Sequence, residues 1–133
     1  MKQIIKGHSD FKYIVSNNGY FVDKTLLVKE FLENADHVMV IPRPRRFGKT
    51  LNLSMIEHFF DIRKQESARF FSSFNISKDQ AFCEKHQNKY PVINLTLKSA
   101  KSPNWEACLK CLKQEVFNQY KKHDYLLESD HLK

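Results

Sequence analysis

The chain has 133 residues, which bounds it to one domain, and its 41% hydrophobic and 13% aromatic content excludes a disordered segment. No apolar run reaches the length of a membrane span, and Met1 to His8 carry no apolar signal core, so the expected setting is cytoplasmic with no membrane partner. A net charge of +7 favours anionic partners, a nucleotide ahead of a nucleic acid, because only Arg43 to Arg46 form a tight basic run and no aromatic residues interleave with the lysines.

In chain order, Ser9 is placed to cap a short helix through Phe11, Ile14 and Val15, which Asn17-Asn18-Gly19 ends. Tyr20 to Val22 reads as a brief extended piece. Asp23 is placed to cap a second helix whose apolar stripe is Leu26, Leu27, Val28, Phe31 and Leu32. Val38 to Ile41 is an apolar run expected to be a buried strand. A basic loop follows, and a helix that is apolar nearly all round, with Leu51, Leu53, Met55, Ile56, Phe59 and Phe60, is expected to run to about Lys64. Asp61 is expected to be solvated at its end. Ala68 to Ile76 and Lys78 to His86 are expected short helices. Val92 to Leu97 is the second expected strand. Ser102-Pro103 opens a last long helix, with proline at its first position and a buried face of Trp105, Leu109, Leu112, Val116 and Tyr120. Strand, helix and strand in this order predict an α/β fold.

The chemistry concentrates between the first strand and its helix, in Pro42-Arg43-Pro44-Arg45-Arg46-Phe47-Gly48-Lys49-Thr50. Strand, loop, Gly-Lys-Thr and helix is the order of a phosphate-binding, or Walker A, loop. A triphosphate is a dense negative charge, and a helix N-terminus offers it unpaired N–H groups and a partial positive charge. Gly48 lets the backbone approach the phosphates. Lys49 supplies a point charge for the β/γ oxygens, and Thr50 a hydroxyl for the bridging magnesium ion. The candidate site is therefore Arg45, Arg46, Phe47, Gly48, Lys49, Thr50 and Leu51, with ATP and Mg2+ as cofactors and Thr50 as the metal ligand. The pattern is a variant. Its first glycine is replaced by Arg43, and Pro42 and Pro44 remove backbone donors that Arg43, Arg45 and Arg46 can replace with guanidinium groups.

Tyr20-Phe21-Val22-Asp23-Lys24-Thr25, the loop with Leu51-Asn52-Leu53-Ser54-Met55, then Phe59-Phe60 and Lys89-Tyr90-Pro91-Val92-Ile93 resemble the predicted AAA-ATPase-like family. The resemblance runs from about Asp10 to the C-terminus. It implies a P-loop ATPase, often fused to a PD-(D/E)XK nuclease-like domain, and it makes Arg43 a trait of the group. Asp23-Lys24-Thr25 matches the family signature, and capping alone explains the aspartate. The implied architecture is a P-loop NTPase-type three-layer sandwich, here incomplete. The Walker A strand and helix are present, but the later strand ending in an acidic Walker B residue is absent. Residues 1–133 thus read as the N-terminal part of one AAA-ATPase-like domain, and no residue is assigned to hydrolysis. The implied partners are a nucleotide and either further copies of the chain or a C-terminal portion. Two other readings stay open. One is a basic nucleic-acid or protein-interaction module with a vestigial loop. The other is a non-functional truncated remnant.

Two further patterns point to structure. Cys83-x-x-His86 and Cys108-x-x-Cys111 have zinc-like spacing, but Cys108 and Cys111 fall inside a helix, so free buried cysteines are expected. The six histidines stand beside no nucleophile and carboxylate in sequence and receive no catalytic role.

Overall fold

The computed structural model describes residues 2–34, 38–42, 44, 46–98, 101 and 103–128. They form five α-helices: α1 (Phe11–Ser16), α2 (Leu26–Glu33), α3 (Lys49–Phe60), α4 (Gln80–His86) and α5 (Trp105–Lys122). Tight 3-10 segments occupy Ile62–Phe71, Asn75–Lys78 and Asp124–Glu128. The chain divides into two units, Met1–Val92 and Ile93–Lys133.

The expected α/β sandwich is not there. Among the described residues the only β-pairings are two isolated bridges, Gln3 with Gly19 and Asp61 with Tyr90. Residues 38–41 and 92–97 carry no regular secondary structure and form no bridge. Val40 is 77% exposed and Ile93 71% exposed, so neither run is a buried strand. The physical reason is that an extended run becomes a strand only when a second backbone takes up its N–H and C=O groups. An apolar pattern reports the tendency and not the partner.

In the first unit the core is aromatic. Phe11 of α1 stacks on Phe71 with ring centroids 4.7 Å apart, and Phe59 of α3 meets Phe71 edge-on at 5.2 Å. Phe21 packs edge-on against both Phe11 and Phe74, each at 5.3 Å. Val28, Met55, Ile76 and Phe82 complete the buried cluster. Such edge-on and offset contacts add to the area that aromatic rings bury. Behind Phe11, Gly19 passes so close to α1 that a Cβ there would lie 2.7 Å from the Ile14 carbonyl oxygen.

Local chemistry moves several expected boundaries. Asp10, not Ser9, caps α1, its carboxylate accepting the Tyr13 N–H at 2.7 Å. α3 ends at Phe60 rather than Lys64, because Asp61 turns extended and its carboxylate then caps the following 3-10 segment through the Arg63 N–H. That segment is kinked at Lys64, and it replaces the helix expected over Ala68 to Ile76. α4 is capped by Asp79, which also receives Lys29 of α2 at 2.6 Å. In the second unit α5 starts at Trp105 rather than with Pro103 at its first position, and Asn104 caps it through the Ala107 N–H; Ser102 lies outside the described residues. The expected buried face of α5 is open. Trp105 is 69% and Tyr120 77% exposed, and α5 buries none of its residues.

The end of α3 is closed by two buried polar side chains. Asn88, in the left-handed region at φ 54°, donates its side-chain amide to the carbonyls of His58, Asp61 and Lys64 at 3.0–3.2 Å. Its own N–H reaches the Phe59 carbonyl at 2.7 Å. His58 and Phe59 lie in the last turn of α3, whose carbonyls have no intrahelical donors, while Asp61 and Lys64 belong to the turn that follows. Asp61 is fully buried, not solvated as expected, and is held by the Arg63 guanidinium at 2.6 Å and 3.0 Å. Burial opposes ionisation of Asp61, but the Arg63 side-chain and backbone donors outweigh it and hold the carboxyl below its ordinary range.

Two stability predictions follow from this closure. Asn88→Ala removes one buried donor shared by three carbonyls and strains a left-handed residue, so a loss of about 2–4 kcal/mol is expected in urea unfolding. Asn88→Gly, which relieves the strain alone, should lose about 1 kcal/mol less; equal losses would show that the backbone conformation is not a cost. Asp61→Ala should cost about 2–3 kcal/mol, less than in a fully dry pair because Arg63 keeps contact with water. A change within error in the same unfolding experiment would refute a structural role for the pair.

Candidate functional site

α3 begins at Gly48, whose φ of 73° and ψ of 19° are left-handed, a conformation that costs glycine nothing. The Asn52 N–H closes the first turn on the Gly48 carbonyl at 2.9 Å. Arg46 is also left-handed, at φ 68°, so the chain reverses sharply into the helix. No side chain caps α3, as none caps α2, whereas Asp10, Asp79 and Asn104 cap α1, α4 and α5; the first turn of α3 holds no acidic residue. The space over Gly48 is open, with nothing within 4 Å of where a Cβ would lie. Arg46, Phe47, Lys49 and Thr50 are exposed around it, while Leu51 packs down on the aromatic core. Lys49 puts a positive charge at the positive end of a helix dipole, which is unfavourable for the helix alone and favourable once an anion sits there. Arg45 and Arg43 lie outside the described residues.

What holds this helix is a polar bridge that the sequence pattern does not announce. Ser54 and His58 lie one turn apart on α3, both against Asp10. The Ser54 hydroxyl accepts the Phe11 N–H at 3.0 Å and donates to Asp10 Oδ2 at 3.2 Å. His58 Nε2 lies 3.2 Å from the same oxygen, and its Nδ1 lies 2.8 Å from the Ser67 hydroxyl. The bridge joins α1, α3 and the 3-10 segment that follows. One histidine therefore does stand between a carboxylate and a hydroxyl, contrary to the sequence expectation. The order Asp10, His58, Ser67 has the members of a hydrolytic triad. It is not one here, because Ser67 is fully buried and no substrate carbonyl can reach it. The signal available in the sequence was the i, i+4 spacing of Ser54 and His58 on one face of α3.

The electrostatics of the bridge favour a neutral ring. Burial is the main cause that pushes the His58 pKa down, with Lys64 adding to it against the opposing pull of Asp10 and Glu57. Asp10 is pushed the other way by burial, but the Tyr13 N–H, His58 and Ser54 outweigh this and hold its carboxyl below the ordinary range. Glu57 is buried and paired with Lys64 at 2.9 Å.

The Asp23-Lys24-Thr25 signature is a structural clamp. Asp23 Oδ1 accepts the Thr25 N–H at 2.9 Å and its hydroxyl at 2.6 Å, and Oδ2 accepts the Asn75 N–H at 2.8 Å. Thr25, fully buried, accepts the Ile76 N–H in turn at 3.2 Å. The clamp fastens the start of α2 to the Asn75–Lys78 turn. Cys83, Cys108 and Cys111 are free thiols and half-buried. Burial pushes the Cys83 thiol up, and its Sγ donates to the Ile76 carbonyl at 3.4 Å. Among the described residues no three His, Cys, Asp or Glu side chains gather to hold a metal ion. No helix among them is long and apolar enough to cross a membrane.

Comparison with known proteins adds the family. The model of a family described as a predicted AAA-ATPase, AAA-ATPase-like, matches residues 6–132. No curated protein and no solved structure matches the chain. The family match takes in the Asp23-Lys24-Thr25 clamp, the Gly48-Lys49-Thr50 turn and the polar bridge under α3, and on that match this chain belongs to the AAA-ATPase-like family.

Proposed function

We propose that this chain binds ATP, with magnesium, at the N-terminus of α3. The observation that carries the reading is the uncapped start of α3 at a left-handed Gly48 with Lys49 and Thr50 exposed beside it, in a chain of a predicted ATPase family. The residues fit the ligand. The approach over Gly48 is open, the helix end is positive, and no carboxylate in the first turn competes for the place of a phosphate. Lys49 would meet the β/γ oxygens, and the backbone from Phe47 to Thr50 would cradle them. Leu51 anchors the turn to the core, and Arg45 and Arg46 would add charge at the loop. The Thr50 hydroxyl would hold the metal, whose charge would offset that of the phosphates.

The site so described binds; it assigns no residue to hydrolysis. A carboxylate that holds the metal and a group that orients water are what hydrolysis adds, and neither is placed here.

Thermal unfolding followed by circular dichroism, with and without excess Mg-ATP, is the test. A ligand that binds only the folded state adds about 2.7 kcal/mol at a hundredfold excess over its dissociation constant, so the midpoint should rise. In Lys49→Ala the rise should disappear while the ligand-free midpoint stays within about 0.5 kcal/mol of wild type, as for other exposed substitutions. A cooperative melt that ignores Mg-ATP would sink the reading.

A further inference from the structure

The bridge beneath α3, buried at His58 and Ser67 and open to water at Asp10, is not needed to contact phosphate, yet it fastens α3 to α1 and to the 3-10 segment. For a neutral ring its hydrogen bonds admit one tautomer. With the Nε2–H donating to the Asp10 carboxylate, Nδ1 is left as an acceptor for the Ser67 hydroxyl. Protonation puts a hydrogen on Nδ1 as well. Ser67, which is fully buried, must then turn to accept, and its own O–H loses its acceptor.

The groups that face the ring come from every packed element. Asp10 from the α1 cap and Glu57 from α3 favour a charged ring, while Lys64 from the 3-10 segment opposes it. Glu66 on that segment is engaged by Lys12 at 3.2 Å. Phe11 closes the apolar side with its centroid 6.2 Å from the imidazole.

We propose that the Asp10–His58–Ser67 bridge, with Ser54, is a pH-sensitive clasp on α3 that couples phosphate binding at Gly48–Thr50 to the protonation of His58; the coupling rests on the phosphate site proposed above. With the ring neutral, Asp10, Ser54 and Ser67 hold α3 against α1 and the 3-10 segment. With the ring charged, Ser67 must accept instead of donate, its own O–H is left without the Nδ1 acceptor, and α3 loosens at the end away from the phosphates.

The sign follows from the lowered basicity of His58. The unfolded chain takes up the proton first, so stability is complete above the ordinary imidazole value of about 6.5 and is lost as the pH falls below it. Asp10 contributes separately, through a carboxyl held low, and its share is lost only below about pH 4.

The experiment is calorimetric titration of Mg-ATP at pH 7.5 and pH 5.5 into wild type and His58→Gln. The titration of ATP itself is common to both proteins and cancels in the comparison. The wild-type dissociation constant should rise by about threefold or more relative to the variant, as the competent state becomes less populated. Ser67→Ala removes the hydroxyl that needs Nδ1 as acceptor, and should flatten the wild-type pH dependence even if His58→Gln does not fold. Binding at pH 7.5 with the same pH dependence in wild type and a folded variant would overturn the clasp alone. Absence of binding at pH 7.5 would overturn the phosphate site and the coupling with it. The NMR titration of the His58 ring separates the two, since a midpoint below that of a free imidazole supports the clasp and an unshifted one overturns it.

Discussion

The first unit depends on how α3 ends. A helix of twelve residues leaves its last carbonyls without intrahelical donors, and burying them without partners would cost more than the helix contributes. Asn88 and Tyr90 resolve this: the Asn88 side chain takes the His58 carbonyl, its N–H the Phe59 carbonyl and the Tyr90 N–H the Phe60 carbonyl, while the same Asn88 amide reaches the Asp61 and Lys64 carbonyls of the next turn. The geometry requires Asn88 to stand in the left-handed region, which asparagine tolerates better than most residues. From that closure follow the turn at Asp61, the bridge from Asp61 to Tyr90, and the direction in which Ile62–Phe71 leaves α3 to lay Phe71 between Phe11 and Phe59.

The two ends of α3 are built on opposite principles. The C-terminal end is closed by side chains, with the Asn88 amide N–H groups, Asp61, Arg63, Glu57 and Lys64 engaged among themselves or with backbone, though the buried Asn88 Oδ1 has no partner. The N-terminal end is exposed and carries no side-chain cap. A helix held firmly at one end can present the other in a fixed direction, which is what a backbone anion site requires, since its donors are N–H groups that cannot turn independently of the helix. Ser54 and His58 supply the middle fastening, and both reach the same oxygen of Asp10.

Much of the local structure was legible in the sequence, and the long-range pairing was not. The periodicity of Leu26, Leu27, Val28 and Phe31 located α2, and Gly48-Lys49-Thr50 located the start of α3. Phe59, Phe71 and Phe74 were readable as core because large apolar residues clustered at element ends must bury somewhere. The runs at 38–41 and 92–97 misled because apolar content alone does not say whether another backbone will pair with them. Trp105 and Tyr120 misled for the same reason: a helical stripe specifies a face to be covered, not what covers it. Asn88 and Asp61 were invisible since their roles lie in contacts 24 to 30 residues away, or in a single turn whose burial no local pattern encodes.

The basic loop before α3 departs from the glycine-rich pattern in a way that the proposed phosphate site would have to accommodate. Glycines in such a loop serve to bring many backbone N–H groups to the phosphates, and proline at 42 and 44 takes two of those donors away. Guanidinium groups give back charge and paired donors, but on long side chains that must be ordered when the ligand arrives, at about 2 kcal/mol of rotamer entropy each. The fixed donors therefore retreat to the short stretch from Gly48 into α3, where the helix itself holds the backbone in place. A site of this kind leans more heavily on where its helix lies than a glycine-rich one does. At the proposed site the contacts of Ser54, His58 and Asn88, which lie away from the loop, would therefore bear on binding through where they hold α3.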